Sequence, residues 1–494
     1  MSPSTGRPRI GQQRIEHLVQ LDPQTAPPFP VAAIAELRDT QLRRNVARAT
    51  ETIQRKRGAL VAEKMDWQAL RDAGAVIRRE ALANLDHYLL QFEERFQAAG
   101  GTVHWAADAA EANRITLGIL LQKDTREVIK IKSMTTAEIG LNDFLAQHGV
   151  SAYETDLAEI ILQLGNDQPS HIVVPALHKN RQQVREIFAR TMGLPDLSDD
   201  PEALTAAARH YLREKFLRVK TAVCGANFLI AETGGITIVE SEGNGRMCLT
   251  LPETLIAIVG IEKVIPRFAD LEVLLQTLPR SATGERMNPY NSIWSGVVPG
   301  DGPIDMHVVL LDNGRTRVLR DAIGRQTLQC IRCGACQNAC PVYRQTGGHA
   351  YGSVYAGPIG AILTPQLEDM RYAQSLPFAS SLCGACYEVC PVKINIPEVL
   401  VHLRSRVVDR GRRKLASLFD QERAGMMMMG TIFANRRRYE AAQRLARTVQ
   451  KTVHQGDAWY HWLPGMAGRW TETRDLAPLP QQTFREWWQQ RGQS

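Results

Sequence analysis

One cysteine run occurs twice in this chain, and nothing else in the sequence restricts its fold and chemistry as tightly. Residues 330–341 read CIRCGACQNACP and residues 380–391 read SSLCGACYEVCP. Aligned, they agree at every cysteine but the first, where Ser380 stands opposite Cys330. Seven of the nine cysteines therefore fall within 61 residues. Short, regular spacings of this kind read as metal ligands in a reducing compartment rather than as a disulfide framework. The N-terminus carries no basic-then-apolar leader, and no apolar run approaches the ~18 residues of a membrane span. A cytoplasmic location is expected. Cys224 and Cys248 lie outside the doubled run in β-rich sequence and are expected as buried core thiols.

The spacing Cys330-x2-Cys333-x2-Cys336-x3-Cys340-Pro341 is a 4Fe–4S ligand run. Three thiolates on one tight loop reach three corners of a cubane, because x2 spacing carries successive Sγ atoms round a single turn. The fourth corner faces away, and the x3 offset with its proline sends the last cysteine to the other cluster. Cluster one is then expected from Cys330, Cys333, Cys336 and Cys390, and cluster two from Cys340, Cys383 and Cys386. The fourth ligand of cluster two stays open: a serine oxygen (Ser380, with Ser381 beside it), another side chain such as His349, a solvent or substrate oxygen, or none, giving a 3Fe–4S centre. An open iron corner could act as a Lewis acid on the hydroxyl and carboxylate of a 2-hydroxy acid; an electron relay needs no open corner. The competing reading is a four-thiolate zinc site of Cys330, Cys333, Cys383 and Cys386, which leaves Cys336, Cys340 and Cys390 idle. No G-x-G-x-x-G follows a strand, no C-x-x-C-H is present, and neither run has the C-x3-C-x2-C order of radical-SAM enzymes. Clusters without an organic cofactor suggest one-electron relays, with two-electron chemistry supplied by a partner.

Upstream, residues 1–60 read as a Pro-containing lead and a basic helix. Residues 61–320 alternate helical stretches with the β-rich runs GTVHWAA, EVIKIKS, HIVVPA, FLIAETGGITIVES, LIAIVG and MHVVLLDNGRTRVL. This alternation predicts an α/β domain with a mixed, mostly parallel sheet. A hairpin is expected at Gly234-Gly235 and a second at Asn313-Gly314. Residues 321–400 carry the cysteines among short helices and glycine-rich loops, and residues 401–494 form a basic, Trp-rich helical extension. The net charge is +7, and residues 401–451 alone carry +9. That excess reads as a solvated helical face, or as a surface for an acidic protein or the face of an anionic membrane; no nucleic-acid motif accompanies it. Met426–Met429 are expected in a helix core, and Trp459, Trp462, Trp470, Trp487 and Trp488 point to a docked rather than disordered tail.

The cysteine runs, with CIRCGACQNACPVYRQTGGHAYGSVYAGPIGAILTP and SSLCGACYEVCPVKINIPEV, resemble the iron–sulfur subunit of bacterial lactate-utilisation systems, the LutB/YkgF family. KSMTTAEIGLN, PSHIVVPALHKNR, GANFLIAETGGITIVESEGNGR, IVGIEKVIP and the FREWW tail extend the likeness over nearly the whole chain. The resemblance implies a lactate-utilisation (LUD) domain over about 70–310, similar in fold to pentose-phosphate isomerases and CoA transferases. It implies an α-helical ferredoxin-like domain after it, with two 4Fe–4S clusters, and then a family-specific extension. It also implies action in L-lactate oxidation to pyruvate with two companions, a CCG-type cysteine-rich subunit and a second LUD-domain subunit. The family shares the serine in place of an eighth cysteine.

In the LUD stretch, AETGGITIVESEGNGR sets Glu232, Glu240, Glu242, Asn244 and Arg246 around glycine turns after strands. Ligands bind at strand ends in α/β sheets; Arg246 could hold a carboxylate and Glu242 could serve as a base. Polar turn residues account for the same pattern, and His171 and His178 are expected to be satisfied by local hydrogen bonds. Three functions stand as expectations: an electron-transfer subunit; a chain that itself oxidises the hydroxy acid at an open iron or in the LUD crevice; a redox-sensing scaffold.

Overall fold

The computed structural model describes residues 22–412, 421–453, 459–463, 468–471 and 474–491. They fall into two compact units, one ending at Ser405 and the other beginning at Arg406. The first unit contains ten strands: β1 (Thr102–Ala106), β2 (Glu127–Lys130), β3 (Ser151–Glu154), β4 (Thr221–Cys224), β5 (Phe228–Ile230), β6 (Gly235–Glu240), β7 (Thr254–Gly260), β8 (Val264–Ile265), β9 (Tyr290–Trp294) and β10 (Asp305–Leu311). Six form a sheet in the order β1-β10-β7-β4-β2-β3 with every neighbouring pair parallel. The other four form a smaller sheet, β8-β5-β6-β9, with β5/β6 and β6/β9 antiparallel.

The central strand β7 shows why the large sheet is parallel. Its run TLIAIVG is buried throughout, as a strand covered by helices on both faces must be. Ile256 and Ile258 pack with Ile119, Leu120, Leu141 and Leu145 on one face. Leu255, Ala257 and Val259 pack with Leu89, Phe92, Phe96 and Phe216 on the other. The fold is thus a mixed α/β core with a mostly parallel sheet, followed by the ferredoxin-like cysteine region and a helical C-terminal part.

The helices Thr40–Ala62 and Trp67–Ala83 contribute Leu42, Val46 and Ile77 to the core that also holds Cys330, Tyr343, Ile359 and Val399. The chain therefore wraps its N-terminal helices around the distant cysteine region. Residues 1–21 of the expected lead lie outside the described residues.

The expected β5/β6 hairpin forms, but its loop is 231–234 rather than Gly234-Gly235, because Gly235 already pairs with Ile230 as the first residue of β6. Two strand expectations are corrected. HIVVPA (171–176) is irregular, because side chains replace a ladder: His171 Nδ1 accepts from the Val173 and Val174 amides at 3.0 Å, and Gln337 Oε1 accepts from the Ile172 amide. MHVVLLDNGRTRVL is not a hairpin. Asn313 and Gly314 do take positive φ (42° and 89°), but the turn feeds the short helix Arg315–Leu319. β10 is an interior parallel strand whose neighbours are both already in place. Strands β3, β4, β8 and β9 escaped the sequence reading; each is five residues or fewer.

The second unit contains the helices Gln421–Phe433, Arg436–Val453 and Phe484–Arg491, with Arg447 forked onto the Glu486 carboxylate at 3.0 and 3.2 Å. Met426–Met429 are exposed rather than core: a pair of helices with few neighbours leaves one face of each uncovered. Trp459, Trp462, Trp487 and Trp488 are exposed too; the Trp470 side chain and residues 413–420 lie outside the described residues. No helix among the described residues is long and apolar enough to cross a membrane.

The hairpin loop yields a stability test. Gly234 has φ 69°, and a Cβ there would stand 2.6 Å from the Phe96 amide nitrogen, whereas Gly149 (φ 76°) has nothing within 4 Å. Gly149→Ala should lose roughly 1 kcal/mol from backbone strain alone, and Gly234→Ala roughly 3 kcal/mol or more. Urea unfolding followed by circular dichroism measures both, and equal losses would contradict the packing.

Candidate metal centre

The two cysteine runs fold alike. Arg332 and Leu382 both occupy the left-handed region (φ 61° and 56°), followed by Gly334 and Gly384 (72° and 84°). Each loop then enters a short helix, Ala335–Ala339 or Ala385–Glu388. Two closely spaced reversals curl the loop tightly enough to point its side chains inward. The amides follow: Arg332 N–H donates to Cys330 Sγ at 3.3 Å, and Leu382 N–H donates to Ser380 Oγ at 3.1 Å. Ser380 thus occupies, within its loop, the place Cys330 occupies in the other. Beyond the helices, the Tyr343 amide donates to Cys340 Sγ at 3.5 Å and the Ile394 amide to Cys390 Sγ at 3.3 Å.

Cys330, Cys333 and Cys336 line one cavity together with Cys390 from the other loop. Ile359, Val392, Ile394 and Ile396 complete its wall and, all but fully buried, exclude water. Cys340, Cys383 and Cys386 form a second group: burial, then the neighbouring Cys340 and Cys383, push the Cys386 thiol up to about 12. Cys383 alone of the seven is exposed.

The donor set fits iron–sulfur clusters. All nine cysteines are free. Sulfurs on one tetrahedral zinc, with bonds near 2.3 Å, stand about 3.8 Å apart. Among the described residues no three cysteine sulfurs lie within 4.8 Å of one another, so these sulfurs are spread for something larger than a single ion. Cys224 and Cys248 are buried, pushed upward by desolvation, and take no part.

The first cavity is ringed by cations that the spacing rule does not reveal. Arg71 donates to the Cys390 and Tyr387 carbonyls at 2.9 and 3.0 Å, and Arg57 to the Val389 carbonyl at 3.2 Å. Arg78, 1% exposed, donates to Val264 O at 2.7 Å and also reaches the Glu262 and Gln329 carbonyls. It ties the large domain to the cysteine region. Lys263 is buried beside Cys330, and desolvation, then Arg332, bring it down to about 7. Arg332 pairs with Glu262 at 3.1 Å. Buried cations in this number need a buried anion, and a thiolate-ligated cluster is one. The only sequence signal was the charged Glu262-Lys263 interrupting an apolar run.

The other candidates are placed elsewhere. His349 Nε2 lies 2.9 Å from the Gln168 carbonyl, and His349 groups with Asp167 and His178. His178 bonds Asp167 at 3.0 Å, and the Lys179 ammonium already neutralises that carboxylate. His171 donates to Asn338 Oδ1 at 3.1 Å and is held neutral, down to about 3, first by burial. Glu242 accepts the Leu157 amide and Glu240 the Gly245 and Arg246 amides, so both cap helices. Asn244 reaches Thr155 Oγ1 at 3.1 Å, Glu232 accepts the Phe268 amide at 2.8 Å, and Arg246 is exposed.

The LUD domain family matches residues 89–311, the 4Fe–4S dicluster domain family 326–394, and the lactate utilisation protein B C-terminal family 405–493. Lactate utilization protein B of Oceanobacillus iheyensis is 42% identical over 453 residues, 91% of this chain and 93% of that one. The chain belongs to the lactate utilization protein B family. Family members from an Exiguobacterium species (42% over 459 residues, 92% and 96% of the two chains) and Bacillus thuringiensis (39% over 455 residues, 92% and 94%) are similar over the same extent. Among solved structures, a DUF162 family protein from Deinococcus radiodurans aligns with 46% of this chain and 98% of its own, at 16% identity and a TM-score of 0.25. The family's dicluster domain spans all seven cysteines of the doubled run.

Burial pushes the Cys390 thiol up to about 11 and the Cys386 thiol to about 12, holding both protonated without metal. Ligands must lose their protons to bind, so cluster assembly should release protons and tighten as pH rises from 7 to 9. Anaerobic reconstitution in weak buffer, followed by pH change and visible absorbance, checks this; pH-independent assembly would contradict it.

Proposed function

We propose that this chain is the iron–sulfur electron-transfer subunit of a cytoplasmic system that oxidises L-lactate to pyruvate. One observation carries the reading: Cys390 lines the cavity of the first loop, leaving Cys340 with Cys383 and Cys386. This is the exchange of fourth ligands found in two-cluster ferredoxins. Cys330, Cys333, Cys336 and Cys390 would hold one 4Fe–4S cluster, and Cys340, Cys383 and Cys386 the other, with Ser380 Oγ at the fourth corner because it repeats the place of Cys330 Sγ. Each cluster, when bound, accepts and releases one electron.

The protein's own part is to bind, screen and expose. The apolar wall around the first cavity keeps water out, while exposed Cys383 brings the second group to the surface. Electron exchange with a companion is best served there. The Glu242 carboxylate is occupied as a helix cap and Arg246 faces solvent, which favours lactate chemistry in a companion over chemistry in this chain. The companions are a CCG-type cysteine-rich subunit and a second LUD-domain subunit. The basic extension with its exposed methionines and tryptophans is the surface for them, or for peripheral contact with the cytoplasmic membrane face.

Anaerobic purification with iron and sulfide counting and paramagnetic-resonance spectra, with and without L-lactate, tests the reading. About eight irons, dithionite-reducible signals and no response to lactate alone are expected for two 4Fe–4S clusters. Zinc without sulfide, or reduction by lactate in the absence of companions, would overturn it. Ser380→Ala should convert cluster two to a 3Fe–4S signal in the oxidised protein, while Ser380→Cys should leave it a four-iron centre; identical spectra would remove Ser380 from the ligand set.

A further inference from the structure

A buried ladder of charges runs from the parallel sheet to the first cysteine loop. Glu138 accepts both Nη atoms of Arg315 at 2.9 Å, the Tyr355 hydroxyl at 2.6 Å and the Asn313 amide at 2.7 Å. Arg315 Nε donates to Glu262 Oε2, and Glu262 Oε1 accepts Arg332 Nη2 at 3.1 Å. The Arg332 guanidinium lies over the Tyr355 ring at 5.0 Å, and its backbone amide donates to Cys330 Sγ. Glu262 and Arg315 are each 1% exposed. Gly260 ends β7 without a side chain because a Cβ there would overlap the Glu262 carboxylate and the Arg315 guanidinium.

Such a ladder is an expensive way to hold two domains together, since apolar packing does so without desolvating charge. Its charges are held by paired hydrogen bonds, fully buried at Glu262 and Arg315 and nearly so at Arg332, whose side chain is 8% exposed, and they lie beside Cys330, where Coulomb interactions are weakly screened. We propose that Glu262 and Arg332 are opposed positioning charges that set the reduction potential of cluster one, which makes the end of strand β7 part of the redox centre. The inference rests on the reading that Cys330, Cys333, Cys336 and Cys390 hold that cluster. Reduction adds one negative charge to the cluster. Arg332, the nearer partner, stabilises the reduced form, and Glu262 behind it opposes reduction and restrains the arginine. The potential is therefore a balance that the LUD domain controls through one carboxylate.

The test is a pair of charge-removing variants read by potentiometric titration of the cluster-loaded full chain, with paramagnetic-resonance detection. Arg332→Asn removes the cation while keeping a residue that tolerates positive φ, and Glu262→Gln removes the anion with its shape retained. Of the two midpoints in the wild type, one should fall in Arg332→Asn and the same one should rise in Glu262→Gln, the other staying put. Iron and sulfide counts equal to the wild type identify variants whose clusters are intact. A merely structural role predicts lost cluster content or equal, same-sign shifts. Two intact clusters with unmoved or same-sign midpoints would overturn the inference and leave the cluster reading standing. Absence of the clusters from the wild type would overturn the reading itself. Should Glu262→Gln lose iron, Glu262→Asp, which keeps the charge, must hold the wild-type midpoint, and a raised one counts against the inference.

Discussion

The approach of Cys390 to Cys330, Cys333 and Cys336 is the contact on which the rest of this structure depends. It closes a loop of some fifty residues, which costs roughly 3–4 kcal/mol in chain entropy, and brings four desolvated sulfurs together, which thiols resist less than thiolates. Apolar packing offsets part of that cost. The helix Gly357–Leu367, buried along its whole length, packs against the helix Ala335–Ala339 of the first loop and against Leu376–Phe378 ahead of the second, and Tyr343 anchors its loop by donating to the Ser170 carbonyl at 2.6 Å. The remainder must come from metal. With Cys333, Cys336, Cys340, Cys386 and Cys390 pushed upward by burial, the metal-free region holds neutral thiols beside buried cations, of which Arg332 is balanced by Glu262 while Arg57, Arg71 and Arg78 donate to uncharged acceptors. Binding an anionic cluster relieves both the proton burden and the cationic excess. Folding and cluster loading are on this account one coupled process.

That coupling explains why the cysteine region does not stand apart as a small ferredoxin. It shares its core with helices from the beginning of the chain, and Arg71 and Arg78 reach from Trp67–Ala83 to carbonyls at Cys390, Val264 and Gln329. In an open parallel sheet the carboxyl ends of the strands ordinarily keep a crevice for a ligand. Here the ends of β7 and β10 lead instead to Glu262 and Arg315, and these residues face the first cysteine loop. At those two strands the edge of the parallel sheet packs towards the first cysteine loop through the Arg315–Glu262–Arg332 chain instead of bordering an open crevice. A catalytic site within the LUD domain would have to use other strand ends. At β2 and β3 stands a buried Lys130–Glu154 pair at 2.6 Å, with Asn142 also donating to Glu154 Oε1 and Glu154 Oε2 left without a partner among the described residues.

The same physics decides how much was legible in the sequence. The iron–sulfur character of the cysteine runs could be read because ligand spacing within each run is local geometry. The parallel sheet could be read because β7 must be apolar on both faces. The second hairpin misled because Asn313-Gly314 signals a turn equally well before a strand or a helix. The choice of a helix there belongs to Arg315, whose partners Glu138 and Glu262 are 177 and 53 residues away. HIVVPA misled because side-chain acceptors, His171 and Gln337, met its amides instead of a strand. Arg57, Arg71 and Arg78 were invisible as site residues because a cation on an amphipathic helix normally faces water. Only the three-dimensional path of the chain turns them inward. Polar residues in glycine turns looked like candidates for chemistry, and Glu240 and Glu242 proved to be caps.

Ser380 ties the cysteine geometry to the exposure of the second group. The loop that carries it repeats the Cys330 loop in backbone sign, amide donor and following helix, so the exchange of sulfur for oxygen is a change of one atom in a shared frame rather than a collapse of the site. On the proposed reading, a Ser380 oxygen ligand, harder and more basic than a thiolate, would bind soft iron less well and make that corner the most readily exchanged. The corner falls in the group whose Cys383 is exposed, not in the group walled by Ile359, Val392, Ile394 and Ile396. Lability and exposure therefore coincide on one side, and rigidity, burial and compensating charge on the other. A buried, charge-balanced centre suits holding an electron at a defined potential, and an exposed one suits handing it across an interface. On the proposed electron-transfer reading, the asymmetry of the two cysteine runs would be a division of labour set by a single substitution and by which of the two loops the N-terminal helices cover.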